Sequence, residues 1–188
     1  MTESPGRLTP VSESAAASIL FDVVPELYSG EVSRPLLLLL LSLAMVETAR
    51  GKQVRENNPG NLMARFFAAG DPKERSVWSG DYWRPSWWFD HSRDDSMHAG
   101  KVPSAFRSYP TALDGWRDYV RLLFSTKKKP IIAAASLGDI PAFVAALGDL
   151  YSPDYKPEHV KTFRSLYDEY SEKGFFLTRP VRRKIDRL

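Results

Sequence analysis

The chain contains no cysteine. That excludes a disulfide framework and a thiolate metal site. It also lacks a run long enough to span a bilayer. Its longest apolar stretch, Leu36–Val46, falls well short of the roughly 20 residues a membrane helix needs. No basic start leads into a leucine run near Met1, so no signal peptide is legible. The expectation is synthesis in the cytoplasm, with delivery or lysis needed for any action outside it. Internal repeats, a phosphate-cradling loop and a dinucleotide fingerprint are all missing from the sequence.

Excess charge of one sign is scarce too. The formal net charge is +3. From Gly174 onward five basic residues (Arg179, Arg182, Arg183, Lys184, Arg187) stand against one acid, Asp186, so this segment carries +4 and the remainder −1. The basic character is a tail and not a groove, and no nucleic-acid partner is expected. The tail reads as a solvated terminus. It is also a candidate contact for an anionic wall, a membrane surface, or a phage, secretion or injection assembly.

What is present suits a folded domain. The 188 residues, 43% hydrophobic and 26% charged, suffice for one domain with a real core. The expected organisation is a single domain over residues 1–173, with a non-helical lobe at about 63–109, followed by a basic tail at 174–188.

The chain is organised around Ser33–Leu62. Ser33 can cap a helix, and Pro35 fits its first turn, where N–H groups have no helical partner. Leu36 to Val46 is apolar apart from Ser42, so the helix should be buried on every side. Glu47 follows in the last turn, and Gly51 is a plausible stop. A carboxyl at the end of a buried helix, facing a cleft, is easily given a raised pKa. The plainer reading of Glu47 is a solvated helix-end glutamate. Asn57-Asn58-Pro59-Gly60-Asn61 is a polar turn dense in amides, suited to a hydroxyl-rich substrate such as a glycan.

Elsewhere the periodicity is helical. Ser12 to Tyr28 reads as a first helix that Pro25 bends or ends. Thr111 to Phe124 reads as a helix capped by Thr111, with Leu113, Trp116, Val120, Leu123 and Phe124 on one face. Ile131–Leu137 and Ile140–Leu150 are helices split at Gly138, and Glu158–Lys173 is the last. Met63–Tyr109 is different: glycine, proline, charge and aromatics crowd it, with short strand-like runs such as Tyr82-Trp83. Four of the five tryptophans lie between Trp78 and Trp88. Their flat faces suit sugar rings, and equally the packing of a small lobe. His91, Asp94, Asp95 and His98 invite a metal reading, but a charged surface loop explains them better. Neither metal nor cofactor is expected.

Three stretches carry a resemblance. Glu47-Thr48-Ala49-Arg50-Gly51-Lys52 with Asn57-Asn58 resembles the Glu-Ser-x-x-Gly-Lys…Asn-Asn pattern of the flagellar-muramidase type endo-β-N-acetylglucosaminidases, glycoside hydrolase family 73. Phe106-Arg107-Ser108-Tyr109 leading to Arg117-Asp118-Tyr119 is similar to their Phe-Arg-x-Tyr…Arg-Asp-Tyr segment. Tyr151-Ser152-Pro153-Asp154-Tyr155 is similar to their Tyr-Ala-x-Asp-x-x-Tyr segment. The matches are in order and span about Leu36 to Tyr167. Thr48 stands where the family has Ser, and the turn reads Asn-Asn-Pro-Gly-Asn-Leu.

The resemblance implies a mostly helical α+β, lysozyme-like domain that cleaves peptidoglycan glycan strands at a β-1,4 bond between N-acetyl sugars. Glu47 would be the general acid. The second carboxylate would lie in the lobe, with Asp81 ahead of Asp90 and with Glu56, Asp94 and Asp95 behind them. Tyr151 would orient substrate or stabilise developing charge. Asn58 and Asn61 would hold an acetamido group, with Trp83, Trp87 and Trp88 as sugar platforms, while Asn57 stabilises the turn. A lytic transglycosylase using Glu47 alone and a non-catalytic glycan-binding or structural module remain as alternatives.

Overall fold

The leucine run forms the middle of the molecule. The computed structural model describes residues 6–62, 80–84 and 104–177. In chain order the elements are α1 (Glu13–Leu27), α2 (Arg34–Glu47), β1 (Gly80–Arg84), β2 (Ser104–Ser108), α3 (Ala112–Leu123), α4 (Lys129–Leu137), α5 (Ile140–Leu150) and α6 (His159–Glu172), with a short 3-10 turn at Thr126–Lys128 before α4.

Helix α2 starts as its sequence dictates. The Ser33 hydroxyl accepts from the Leu36 N–H at 3.3 Å, and Pro35 occupies the first turn. Every residue from Leu36 to Met45 is at most 1% exposed. A helix that is apolar all round can be stable only when it is covered all round. Its single polar residue in that stretch, Ser42, donates to the Leu38 carbonyl at 2.8 Å and so carries no unmet hydrogen bond into the core. Helices α1, α4 and α6 pack on α2, α3 lies on α1, and α5 lies on α4 and α6.

The surrounding helices end where their caps stand. Ser12, Thr111 and Asp139 accept from the N–H groups of Ala15, Asp114 and Ala142, opening α1, α3 and α5. Gly138, at φ +70°, divides α4 from α5. Pro25 lies inside α1, which continues to Leu27. On α3, Trp116 is buried edge-on against Tyr119, so the fifth tryptophan is a core residue. Leu113, read from the sequence onto the apolar face, is 38% exposed.

Strands β1 and β2 pair antiparallel, with Asp81 opposite Arg107 and Trp83 opposite Ala105. β2 is tied to the turn before it by the Arg107 N–H, which donates to the Leu62 carbonyl at 2.9 Å. It is tied to α3 by Asp118, whose carboxylate takes an ion pair from Arg107 and a hydrogen bond from the Tyr109 hydroxyl, both at 2.6 Å. Arg107, Tyr109 and Asp118 of the Phe-Arg-x-Tyr…Arg-Asp-Tyr segment thus work as a clamp between strand and helix.

The start of the presumed tail is also structured. Phe176 is buried and Phe175 packs against the core. Arg34 donates to the carbonyls of Phe175 (3.0 Å) and Ser171 (2.8 Å). Phe175 and Phe176 therefore belong with the core, whereas Leu177 is exposed, and the basic residues from Arg179 on lie outside the described residues.

Candidate active site

The acid stands where the core helix runs out. Glu47 is the last residue of α2 and is half-buried. The helix stops here and not at Gly51, because the buried Thr48 side chain closes it. Its hydroxyl donates to the Ala44 carbonyl at 2.6 Å and accepts from the Gly51 N–H at 3.1 Å. Ala49, Arg50 and Gly51 then take φ of 49°, 60° and 81°. Such left-handed backbone is cheap only for glycine, so outside contacts must hold it. A Cβ on Gly51 would stand 2.0 Å from the Val11 carbonyl oxygen.

Arg50 supplies one of those contacts. Its guanidinium donates to Glu13 Oε1 at 2.6 Å and to both carboxylate oxygens of Glu169. Lys173 Nζ joins the same two acids at 2.8 and 2.6 Å. Partial burial works to raise the Glu13 carboxyl, but hydrogen bonds from Lys173, Arg50 and Tyr170 outweigh it and hold the group below its ordinary value. Hydrogen bonds from Arg50 and then Lys173 bring Glu169 down to about 2. The turn after the acid is pinned by charge to the start of α1 and the end of α6.

The amide-rich turn separates into three roles. Asn58 is 0% exposed: its Oδ1 accepts from the Leu62 N–H, and its Nδ2 donates to the carbonyls of Leu62 and Arg107 at 2.9 and 3.0 Å. With its amide spent on backbone, Asn58 cannot hold an acetamido group, contrary to the expectation from sequence. Asn57 donates to the Tyr109 carbonyl at 2.9 Å and stabilises the turn. Asn61 is the amide beside the acid, its Nδ2 donating to the Glu47 carbonyl at 2.5 Å. Glu56 is also in structural use, because its Oε1 accepts from the Arg7 N–H at 2.5 Å. That bond belongs to a strap, residues 6–11, whose Thr9 and Val11 N–H groups donate to Val54 and Gly51.

Phenols complete the surroundings of Glu47. The Tyr155 hydroxyl donates to Glu47 Oε1. Tyr151 donates to the Gly60 carbonyl at 3.0 Å, and the fully buried Tyr119 to the Leu40 carbonyl at 3.4 Å. Burial above all, and then the negative charge of Glu47, push the Tyr151 and Tyr155 hydroxyls well above their ordinary range. Tyr119 is raised by burial, by Tyr151 and by Glu47. All three stay protonated at neutral pH and remain donors. Sequence reasoning named Tyr151, but the phenol that touches the acid is Tyr155, four residues on in the same motif.

The loop carrying Tyr155 is set by α5. The N–H groups of Tyr151 and Ser152 both donate to the Leu147 carbonyl at 2.9 Å, and the Tyr155 N–H to the Ser152 carbonyl at 3.1 Å. The Tyr155 ring rests against His159, Phe163 and Tyr151, with centroids 5.6, 5.8 and 6.2 Å away.

Asp81 and Trp83 lie on β1, the strand paired with β2. Asp90, Trp87, Trp88, His91, Asp94, Asp95 and His98 fall outside the described residues. Among the described residues no cluster of three or more histidines and carboxylates could hold a metal, and no helix is long and apolar enough to cross a membrane.

No protein-family model and no curated protein matches the chain. Among solved structures the chain is similar to the glycoside hydrolase domain of FlgJ from Salmonella typhimurium, with a TM-score of 0.51 and 18% identity over 86% of this chain and 88% of that one. A C-terminally truncated form of that domain aligns with a TM-score of 0.48 and 19% identity, covering 84% of this chain and 98% of that one. The likeness to the first is one of fold: a mostly helical, lysozyme-like α+β domain.

Proposed function

We propose that this chain is a peptidoglycan glycosidase that cleaves a β-1,4 bond between N-acetyl sugars, with Glu47 as general acid. One observation carries the reading. Glu47 ends the most buried helix, is half-buried itself, and has its carboxyl held by the Tyr155 phenol. The fold shared with a glycoside hydrolase domain and the ordered motifs of the sequence support it.

In this reading Glu47 delivers its proton to the oxygen of the leaving sugar. Asp81, carried on β1, is the first candidate for the carboxylate that activates water, and Asp90 the second. Asn61, beside the acid, is the remaining amide candidate to meet an acetamido group. Trp83, Trp87 and Trp88 remain sugar-platform candidates. The bond cut is either the N-acetylglucosaminidase or the muramidase bond. In this reading lysis or a phage, secretion or injection assembly brings enzyme and wall together, with the basic tail as the contact.

The test is digestion of purified peptidoglycan, with products read by mass spectrometry. Wild type is expected to release fragments with a new reducing end. Glu47→Gln keeps the size and hydrogen bonding of the side chain but has no proton to give, so its rate is expected to fall by about 10²–10⁴-fold with the fold intact. Anhydro sugars, one water lighter, would replace this mechanism with a lytic transglycosylase. Binding without any product would leave a glycan-binding module. An active Glu47→Gln enzyme with unchanged products would remove Glu47 from the site.

A further inference from the structure

Gly148 lies inside α5, where glycine is a poor helix former relative to alanine. A Cβ at this position would stand 2.6 Å from the carbonyl oxygen of Tyr155, closer than real Cβ contacts come. The bare backbone at 148 lets the 151–155 loop lie down on α5. The residue whose carbonyl it receives is the one whose phenol touches the acid.

We infer that Gly148 and Tyr155 act on Glu47 as a unit: Gly148 is a positioning residue that seats the Tyr155 backbone, and the seated phenol, through its bond to Glu47 Oε1, sets the pH at which this carboxyl takes up a proton. The inference rests on the glycosidase reading only for its catalytic meaning.

Two influences on the carboxyl oppose each other. The apolar end of α2 favours its neutral form, whereas an O–H donated to the carboxylate favours the charged form. Tyr155 is a dependable donor, because its own proton is held by burial and by the charge beside it. Tyr119 from α3 and Tyr151 at the end of α5 also feel the charge of Glu47. Lys128 Nζ lies over the Tyr151 ring at 5.0 Å, and His159 lies against Tyr155. Helix α2 brings only Arg34, at its opposite end. Tyr155 donates directly to the carboxyl. A general acid works best with its pKa near the operating pH. Tyr155 therefore limits how far burial can raise Glu47.

The experiment is a carbon-13 NMR titration of the glutamate carboxyls, with the Glu47 resonance identified by its loss in Glu47→Gln. Tyr155→Phe keeps the ring and removes the donor. Glu47 is expected to titrate about one pH unit or more higher in that variant. Gly148→Ala, with the phenol intact, is expected to move the midpoint in the same direction. The double variant should move it no further than Tyr155→Phe alone. An unmoved midpoint in folded Tyr155→Phe overturns the inference, and an unmoved midpoint in Gly148→Ala overturns the part given to glycine. The peptidoglycan digest is run on the same proteins. If wild type cleaves but the midpoint does not move, the inference falls and the glycosidase reading stands. If the midpoint moves and wild type cleaves nothing, that reading falls and the coupling stands.

Discussion

Asn58 shows how a single amide can look like a ligand group and be a structural one. Its side chain satisfies one N–H and two carbonyls that burial cuts off from water. Asn58→Ala is expected to destabilise the protein by roughly 2–4 kcal/mol, because those backbone groups lose their partner without gaining solvent. Urea unfolding would check this, and a change within about 0.5 kcal/mol, as at ordinary surface positions, would contradict the assignment. In the sequence, Asn57, Asn58 and Asn61 are three amides in one turn, and nothing in residue type says which one points inward. Tyr151 and Tyr155 posed the same problem. The motif brought both to notice, but only the loop's path over Gly148 decides which hydroxyl meets the acid.

Helix α2 was legible almost in full, because its start rests on local chemistry at Ser33 and Pro35 and its burial on an unbroken apolar run. Its end was not legible. The stop depends on where the Thr48 hydroxyl turns and on contacts that hold Ala49 and Arg50 left-handed. Strand β2 was missed for a related reason: Ser-Ala-Phe-Arg-Ser has no apolar alternation, and its place comes from the clamp on Asp118. Helix α3 meets the amide turn through Gly115, where a Cβ would fall 1.7 Å from the Asn57 carbonyl oxygen. Gly115→Ala should gain about 1 kcal/mol of helix propensity yet lose more to the forced separation of helix and turn. The expected net effect is a lower melting temperature, and a higher one would show that the turn yields freely.

Across the molecule, the ion cluster of Glu13, Arg50, Glu169 and Lys173 joins segments far apart in sequence. Both acids are held below their ordinary value when folded, so folding favours their charged form. The stability they add is complete above the ordinary carboxyl value of 4.5, declines below it, and for Glu169 is gone once the pH has fallen through about 2. The gap in urea midpoint between wild type and Glu169→Gln should therefore be widest near neutral pH and close in that acid window. Because these groups are partly exposed, the gap should be modest and shrink in salt. A gap independent of pH would mean that Glu169 acts by packing alone. The same long reach bears on the moment at which this protein is made. Tyr155 follows Glu47 by 108 residues, and Lys173 follows Glu13 by 160. At a ribosome adding about 5–20 residues per second, Glu47 waits about 5–20 seconds for its phenol, and its turn waits longer for the charges that pin it. A nascent chain stalled before Tyr155 would own the core helix and its acid but not a finished site.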